Sequence, residues 1–90
     1  MEAQSVKVTI TNKLGLHARP AMSFADTASQ FSADIHVIKA GTKYDGKSIM
    51  NLMMLAATQG TELEITASGP DADAALAALQ KLVDSNFDED

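Results

Sequence analysis

Val6, Val8 and Ile10 alternate with Lys7, Thr9 and Thr11, the two-residue period of a strand with one buried face. Ile35, Val37 and Ala40 carry a second such strand, and Leu63, Ile65 and Ala67 another. Between the first two the spacing changes. Ala21, Phe24, Ala25 and Ala28 recur every three or four residues, which predicts a helix from Ala18 to about Gln30, with Pro20 in the first turn where its missing N–H costs nothing. Ala40-Gly41-Thr42 reads as a turn into a short third strand ending near Tyr44. Ser48 is placed as the cap of a helix over 49–57, whose apolar content is too high for one buried stripe, so that part of it is expected at the surface. Gly69-Pro70-Asp71 opens a last helix with Ala72, Ala75, Leu76, Leu79, Leu82 and Val83 facing the core. Asp71 and Asp73 are read as capping and complementing that helix's positive end. Phe87 to Asp90 form an acidic tail, expected to fray.

The predicted order is βαββαβα, an α+β open-faced sandwich with one four-stranded antiparallel sheet and three helices on one face. Lys7, Thr9, His36, Glu62 and Glu64 are expected on the opposite, solvated face. Ninety residues suggest a single domain, 1–90, with no internal repeat or linker.

Charge and composition narrow the function. Seven basic against twelve acidic residues give a net charge of −5, which disfavours nucleic acid and anionic membranes as partners. No run approaches the length of a membrane span. Met1-Glu2-Ala3-Gln4-Ser5 lacks the basic and apolar stretches of a signal peptide, and cysteine is absent, in keeping with a cytoplasmic protein. His17 and His36 have no thiol or carboxylate company that would define a metal site. Neither a metal nor another cofactor is expected.

The chemistry gathers at Gly15-Leu16-His17-Ala18-Arg19-Pro20. His17 stands where a loop becomes a helix, and the first amides of a helix are unpaired and carry the positive end of its dipole. That position holds phosphate readily. Arg19, the only arginine in the chain, adds a fixed charge with donors suited to phosphate oxygens. The set suits a nucleophile that receives a phosphoryl group. Alone, a histidine before a helix equally reads as a cap, and Arg19 as a solvated charge.

Leu16-His17-Ala18-Arg19-Pro20-Ala21, together with Gly46-Lys47-Ser48-Ile49-Met50, the stretch from Leu55 to Gly60-Thr61, and Gly69-Pro70-Asp71, resembles the HPr family of the bacterial phosphotransferase system over nearly the whole chain. The resemblance implies a phosphocarrier rather than an enzyme. His17 would be phosphorylated on Nδ1 by phospho-enzyme I, itself charged by phosphoenolpyruvate, with Arg19 as the active-site arginine. The group would then pass to an enzyme IIA protein. Ser48 matches the serine phosphorylated by HPr kinase in many bacteria. Met22, Ile49, Met50 and Met53 fall where the family docks its partners, and flexible apolar side chains suit a surface that fits several of them. A monomer is expected.

Two alternatives stand beside the sugar-branch carrier. Asn12-Lys13-Leu14-Gly15 and Asn86-Phe87-Asp88-Glu89-Asp90 are similar to NPr, the nitrogen-branch paralogue. Many sugar-branch relatives have a polar residue at the position of Leu14 that could help arrange the loop, an aid the apolar Leu14 lacks. The other alternative is a regulatory docking module controlled by phosphorylation of Ser48.

Overall fold

A computed structural model describes residues 3–88. Its elements are β1 (Gln4–Thr9), α1 (Ala18–Ala28), β2 (Asp34–Lys39), β3 (Thr42–Asp45), α2 (Ile49–Met54), β4 (Glu62–Ser68) and α3 (Ala72–Asp84), closed by a short 3-10 turn at Asn86–Asp88. The sheet order is β1-β4-β2-β3, with every neighbouring pair antiparallel. No described helix is long and apolar enough to cross a membrane.

The register explains the period-2 pattern. Val6 pairs with Ile65, Ile65 with Val37, and Val37 with Tyr44, so one row of inward side chains crosses all four strands. The next row, Ser5, Thr66, His36 and Asp45, points to the other face, the polar face anticipated from Lys7, Thr9, His36, Glu62 and Glu64. A one-residue slip would exchange the two rows, so burial of one face fixes the pairing. Against the inward face, α3 packs on β1 and β4, and α1 packs on both α2 and α3. Pro20, Ala21, Phe24, Ala25 and Ala28 form the buried stripe of α1, and Ala72, Ala75, Leu76, Leu79 and Val83 that of α3.

Four local expectations are corrected. Ala40 is not a strand residue: it adopts a left-handed φ of 49° beside Gly41 and turns the chain between β2 and β3. The second helix stops at Met54 because Ala56, at φ 53°, cannot continue a right-handed helix. Ala56 is accordingly exposed, while Leu52 and Leu55 are buried. Leu82 is only half-buried at the margin of the core. Finally, Phe87 does not fray but is buried, held by three successive left-handed residues, Asn86, Phe87 and Asp88. Glu89 and Asp90 lie outside the described residues.

Asp71 differs from its expected role too. It caps α3 by position only, its carbonyl accepting the amide of Ala75 at 2.9 Å and its side chain making no capping bond. Its carboxylate instead accepts the amides of Ser32 (2.8 Å) and Ala33 (2.9 Å), tying the connection between α1 and β2 to the start of α3. Lys47 Nζ donates to Phe31 O at 2.8 Å and secures the same connection from the β3–α2 side. The Ser32 amide, above all, with those of Ala33 and Asp71 itself and the charge of Lys47, holds this carboxyl below its ordinary value of 3.8, against the opposing effect of burial.

A carboxyl whose folded pKa is depressed stabilises the fold above its unfolded pKa and loses that contribution as pH falls through the folded one. Between about pH 5 and pH 2, the urea midpoint of the parent is therefore expected to fall more steeply than that of Asp71→Asn. Parallel curves for the two proteins would remove Asp71 from the acid response.

Candidate functional site

The site begins with a turn. Asn12 O accepts the amide of Gly15 (3.2 Å), and Asn12 Nδ2 donates to Gly15 O (2.7 Å). Asn12 is buried at 3% exposure. Gly15 has φ +68°, and a Cβ there would meet Ala57 O and would lie 2.8 Å from Thr58 Cα. Only glycine fits both the dihedral and the space. Leu16, buried, donates its amide to the same Ala57 O at 2.8 Å. The loop is thus pinned to the segment that follows α2.

The only local sign of this role for Asn12 is a turn signal, an asparagine three residues before a glycine. Leu14 indeed supplies no polar group and is 75% exposed. The loop's side-chain hydrogen bond comes from two positions earlier. An Asn12→Ala variant is expected to lose about 0.5–1.5 kcal/mol, the net worth of one hydrogen bond, because Gly15 O keeps the His17 amide as a donor. Equilibrium urea unfolding checks this, and a loss below about 0.5 kcal/mol would show that water replaces the amide without penalty.

His17 caps α1 by position, with extended backbone (φ −84°, ψ −169°) and no capping bond from its side chain. Its amide donates to Gly15 O at 3.0 Å, and its carbonyl accepts the amide of Ala21 at 2.9 Å, closing the first helical turn. Helical geometry leaves the amides of Ala18 and Arg19 without intrahelical acceptors, and Pro20, third in the helix, has no N–H. Two backbone donors therefore stand at the positive end of an 11-residue helix beside the imidazole. The ring is half-buried, with Nε2 as its buried end. Arg19 is exposed within that first turn.

Ser48 caps α2. Its Oγ accepts from Asn51 N and Asn51 Nδ2, each at 3.2 Å. At the other end of this helix Lys39 Nζ donates to Leu55 O at 3.0 Å. Met22 on α1, and Ile49, Met50 and Met53 on α2, are exposed. Met54, absent from the sequence-based set, is exposed as well. The apolar excess of the segment pointed to such a residue without saying which. His36 stands apart on the open sheet face, opposite Asp45. Among the described residues no three His, Cys, Asp or Glu side chains gather as metal ligands would.

Residues 4–85 match the family profile described as PTS HPr component phosphorylation site. The phosphocarrier protein HPr of Neisseria meningitidis serogroup A is 48% identical over 82 residues, 91% of this chain and 92% of that one. The phosphocarrier protein NPr of Shewanella violacea is 46% identical over 83 residues, 92% and 91% of the two chains. Among solved structures, HPr from Thermoanaerobacter tengcongensis superposes with a TM-score of 0.93 at 45% identity, covering 97% of this chain and 98% of that one.

Proposed function

The chain belongs to the HPr family of phosphocarriers, whose members carry a phosphoryl group within the phosphotransferase system rather than catalyse a reaction, and from that premise we propose that His17 is the residue that carries it. In this reading enzyme I, charged by phosphoenolpyruvate, is the donor, and an enzyme IIA protein of the sugar branch is the acceptor, all in the cytoplasm. The observation that carries the assignment is the place of the imidazole at the start of α1. Nε2 is buried, so attack falls to Nδ1. The Nδ1 lone pair forms the new N–P bond as the donor's bond to phosphorus breaks, and that bonding pair returns to the donor. Negative charge on the phosphoryl oxygens is met by the amides of Ala18 and Arg19, the helix dipole and the Arg19 guanidinium. The transfer needs alignment and charge stabilisation rather than an enclosed pocket. All these groups come from one chain, so a monomer suffices.

Met22, Ile49, Met50 and Met53 form the docking face in this reading, and the exposed Met54 and Leu14 extend it. Labelled phosphoenolpyruvate with a catalytic amount of enzyme I tests the proposal. The expected product is an acid-labile, alkali-stable label on the protein. A chain that stays unlabelled with enzyme I proteins of both branches would be a docking module instead.

Leu14 favours a second reading, the nitrogen-branch carrier NPr, because an exposed leucine beside the acceptor changes what a partner must cover. Parallel labelling by sugar-branch and nitrogen-branch enzyme I separates the two, the cognate enzyme being the faster donor.

Ser48 has a structural role to lose and a regulatory one to test. A phosphate on its Oγ would add negative charge to the docking face and displace the cap to Asn51. Ser48→Ala is expected to cost about 1 kcal/mol in thermal denaturation and to abolish labelling by ATP and HPr kinase. Unchanged kinase labelling would take Ser48 out of the regulatory account.

A further inference from the structure

On the reading that partners dock on the face formed by α1 and α2, we propose that Met22, Met50, Met53 and Met54 are sites of reversible oxidation to methionine sulfoxide, and that the oxidised face no longer docks.

The distribution of sulfur is the first argument. These four methionines, the only ones among the described residues, are 50%, 73%, 48% and 68% exposed. Methionine ordinarily fills irregular gaps in a core. Here the hydrophobic core consists of Val, Ile, Leu, Ala and Phe, and the chain has no cysteine. Oxidisable sulfur in the described fold thus lies where dissolved oxidant reaches it, and nowhere that the packing depends on it.

Arrangement is the second argument. Met50, Met53 and Met54 stand at i, i+3 and i+4 of α2, which makes them one stripe on that short helix. The helix packs against α1, which carries Met22 and begins directly after His17. A change of polarity at these four positions falls on the proposed interface.

The chemistry is balanced with a peroxide as co-reactant. A thioether lone pair attacks one oxygen of hydrogen peroxide, the S–O bond forms as the O–O bond breaks, and the second oxygen leaves as water after proton transfer. Sulfur loses two electrons and the peroxide gains them. The product is a polar group on a formerly apolar side chain. Pressed into an apolar interface, it gives up water without a compensating partner. Methionine sulfoxide reductase reverses the step at the expense of a dithiol, which becomes a disulfide while the oxygen departs as water.

The test compares each protein with itself before and after hydrogen peroxide, with sulfoxides located by peptide mass mapping. For the parent, the KM of enzyme I for the carrier is expected to rise about tenfold or more. Turnover at saturation and the thermal midpoint are expected to hold, and sulfoxide reductase with a dithiol to restore the original KM. A variant with all four residues changed to leucine is expected to show the same KM before and after treatment, whatever its starting value. Equal KM for the parent despite mapped sulfoxides would overturn the proposal, as would a parallel loss of thermal stability. An equal loss in the leucine variant would locate the damage elsewhere and overturn it too. A parent protein that takes no label before oxidation would sink the carrier reading and this one with it; label before and undiminished docking after would sink this one alone.

Discussion

A His17→Ala variant is expected to remain folded and to accept no phosphoryl group from enzyme I, its label falling to background. The two halves of that result have separate causes. The fold does not lean on the imidazole as a cap, since the His17 side chain makes no capping bond and the backbone alone closes the first turn through Ala21. A shift of the thermal midpoint by a few degrees, corresponding to about 1 kcal/mol, is the most the change should bring. Loss of the label follows, on the proposed assignment, from removing the nucleophile itself. The neighbouring groups can stabilise charge on a phosphoryl group in transit, but none of them supplies a nitrogen lone pair: backbone amides only donate, and a guanidinium stays protonated. His36 provides an internal control. It lies on the open face of the sheet beside Asp45 and Thr66, on the side opposite the helices, so His36→Ala is expected to label like the parent. Label retained in His17→Ala and lost in His36→Ala would move the acceptor to the sheet face and end the assignment.

Gly15→Ala is expected to have the next largest effect, and on stability as much as on transfer. Two penalties combine. An alanine at φ +68° enters the left-handed region at a cost of about 1–2 kcal/mol. Its methyl group would also be driven into the backbone of Ala57 and Thr58, which cannot rotate away as a side chain could. Relief requires the loop to lift, stretching the bond from Leu16 N to Ala57 O and the bond from His17 N to Gly15 O. A total of roughly 3–5 kcal/mol is expected, a large share of the 5–15 kcal/mol typical of a whole domain. Phosphoryl transfer is expected to slow further because the frame that orients His17 has moved. Gly41→Ala separates the two penalties. Gly41 also has positive φ, at 84°, but a Cβ there meets nothing within 4 Å. Urea midpoints showing equal losses in the two variants would mean that the clash at Ala57 relaxes freely and that the loop is less fixed than its contacts indicate.

Much of this was legible in the chain. The strands could be read because the inward row from Val6 to Tyr44 requires apolar residues at every second position. The helices could be read because Ala21, Phe24, Ala25 and Ala28, and later Ala72, Ala75, Leu76 and Leu79, face one core. The rest is not legible there because it depends on partners far away in sequence. Nothing near Asp71 announces that its carboxylate serves Ser32 and Ala33, since those amides reach it only after α1, the sheet and α3 are assembled. An aspartate before a helix invites the capping reading, and the local rule gave way to a tertiary one. Phe87 looked like part of a polar tail, and becomes a core residue because the chain turns back through three left-handed residues. Ala40 and Ala56 have the same explanation. Alanine carries no signal for positive φ, yet the closure of a hairpin and the end of a helix impose it.

By itself the sequence determined the period of each element, the α+β order and the histidine at the start of the first helix, because these follow from side-chain periodicity and from helix-terminal geometry that any such segment has. Tertiary structure alone decided how the histidine is held and what surrounds it. Asn12 supplies the loop's side-chain hydrogen bond, Gly15 lies against Ala57, Nε2 is buried, and Met22, Met50, Met53 and Met54 are left outside. The physical reason is one of range. Periodicity and capping act over three or four residues, whereas burial and the clash at a missing Cβ depend on segments 42 residues apart in the chain, Gly15 and Ala57, meeting in space.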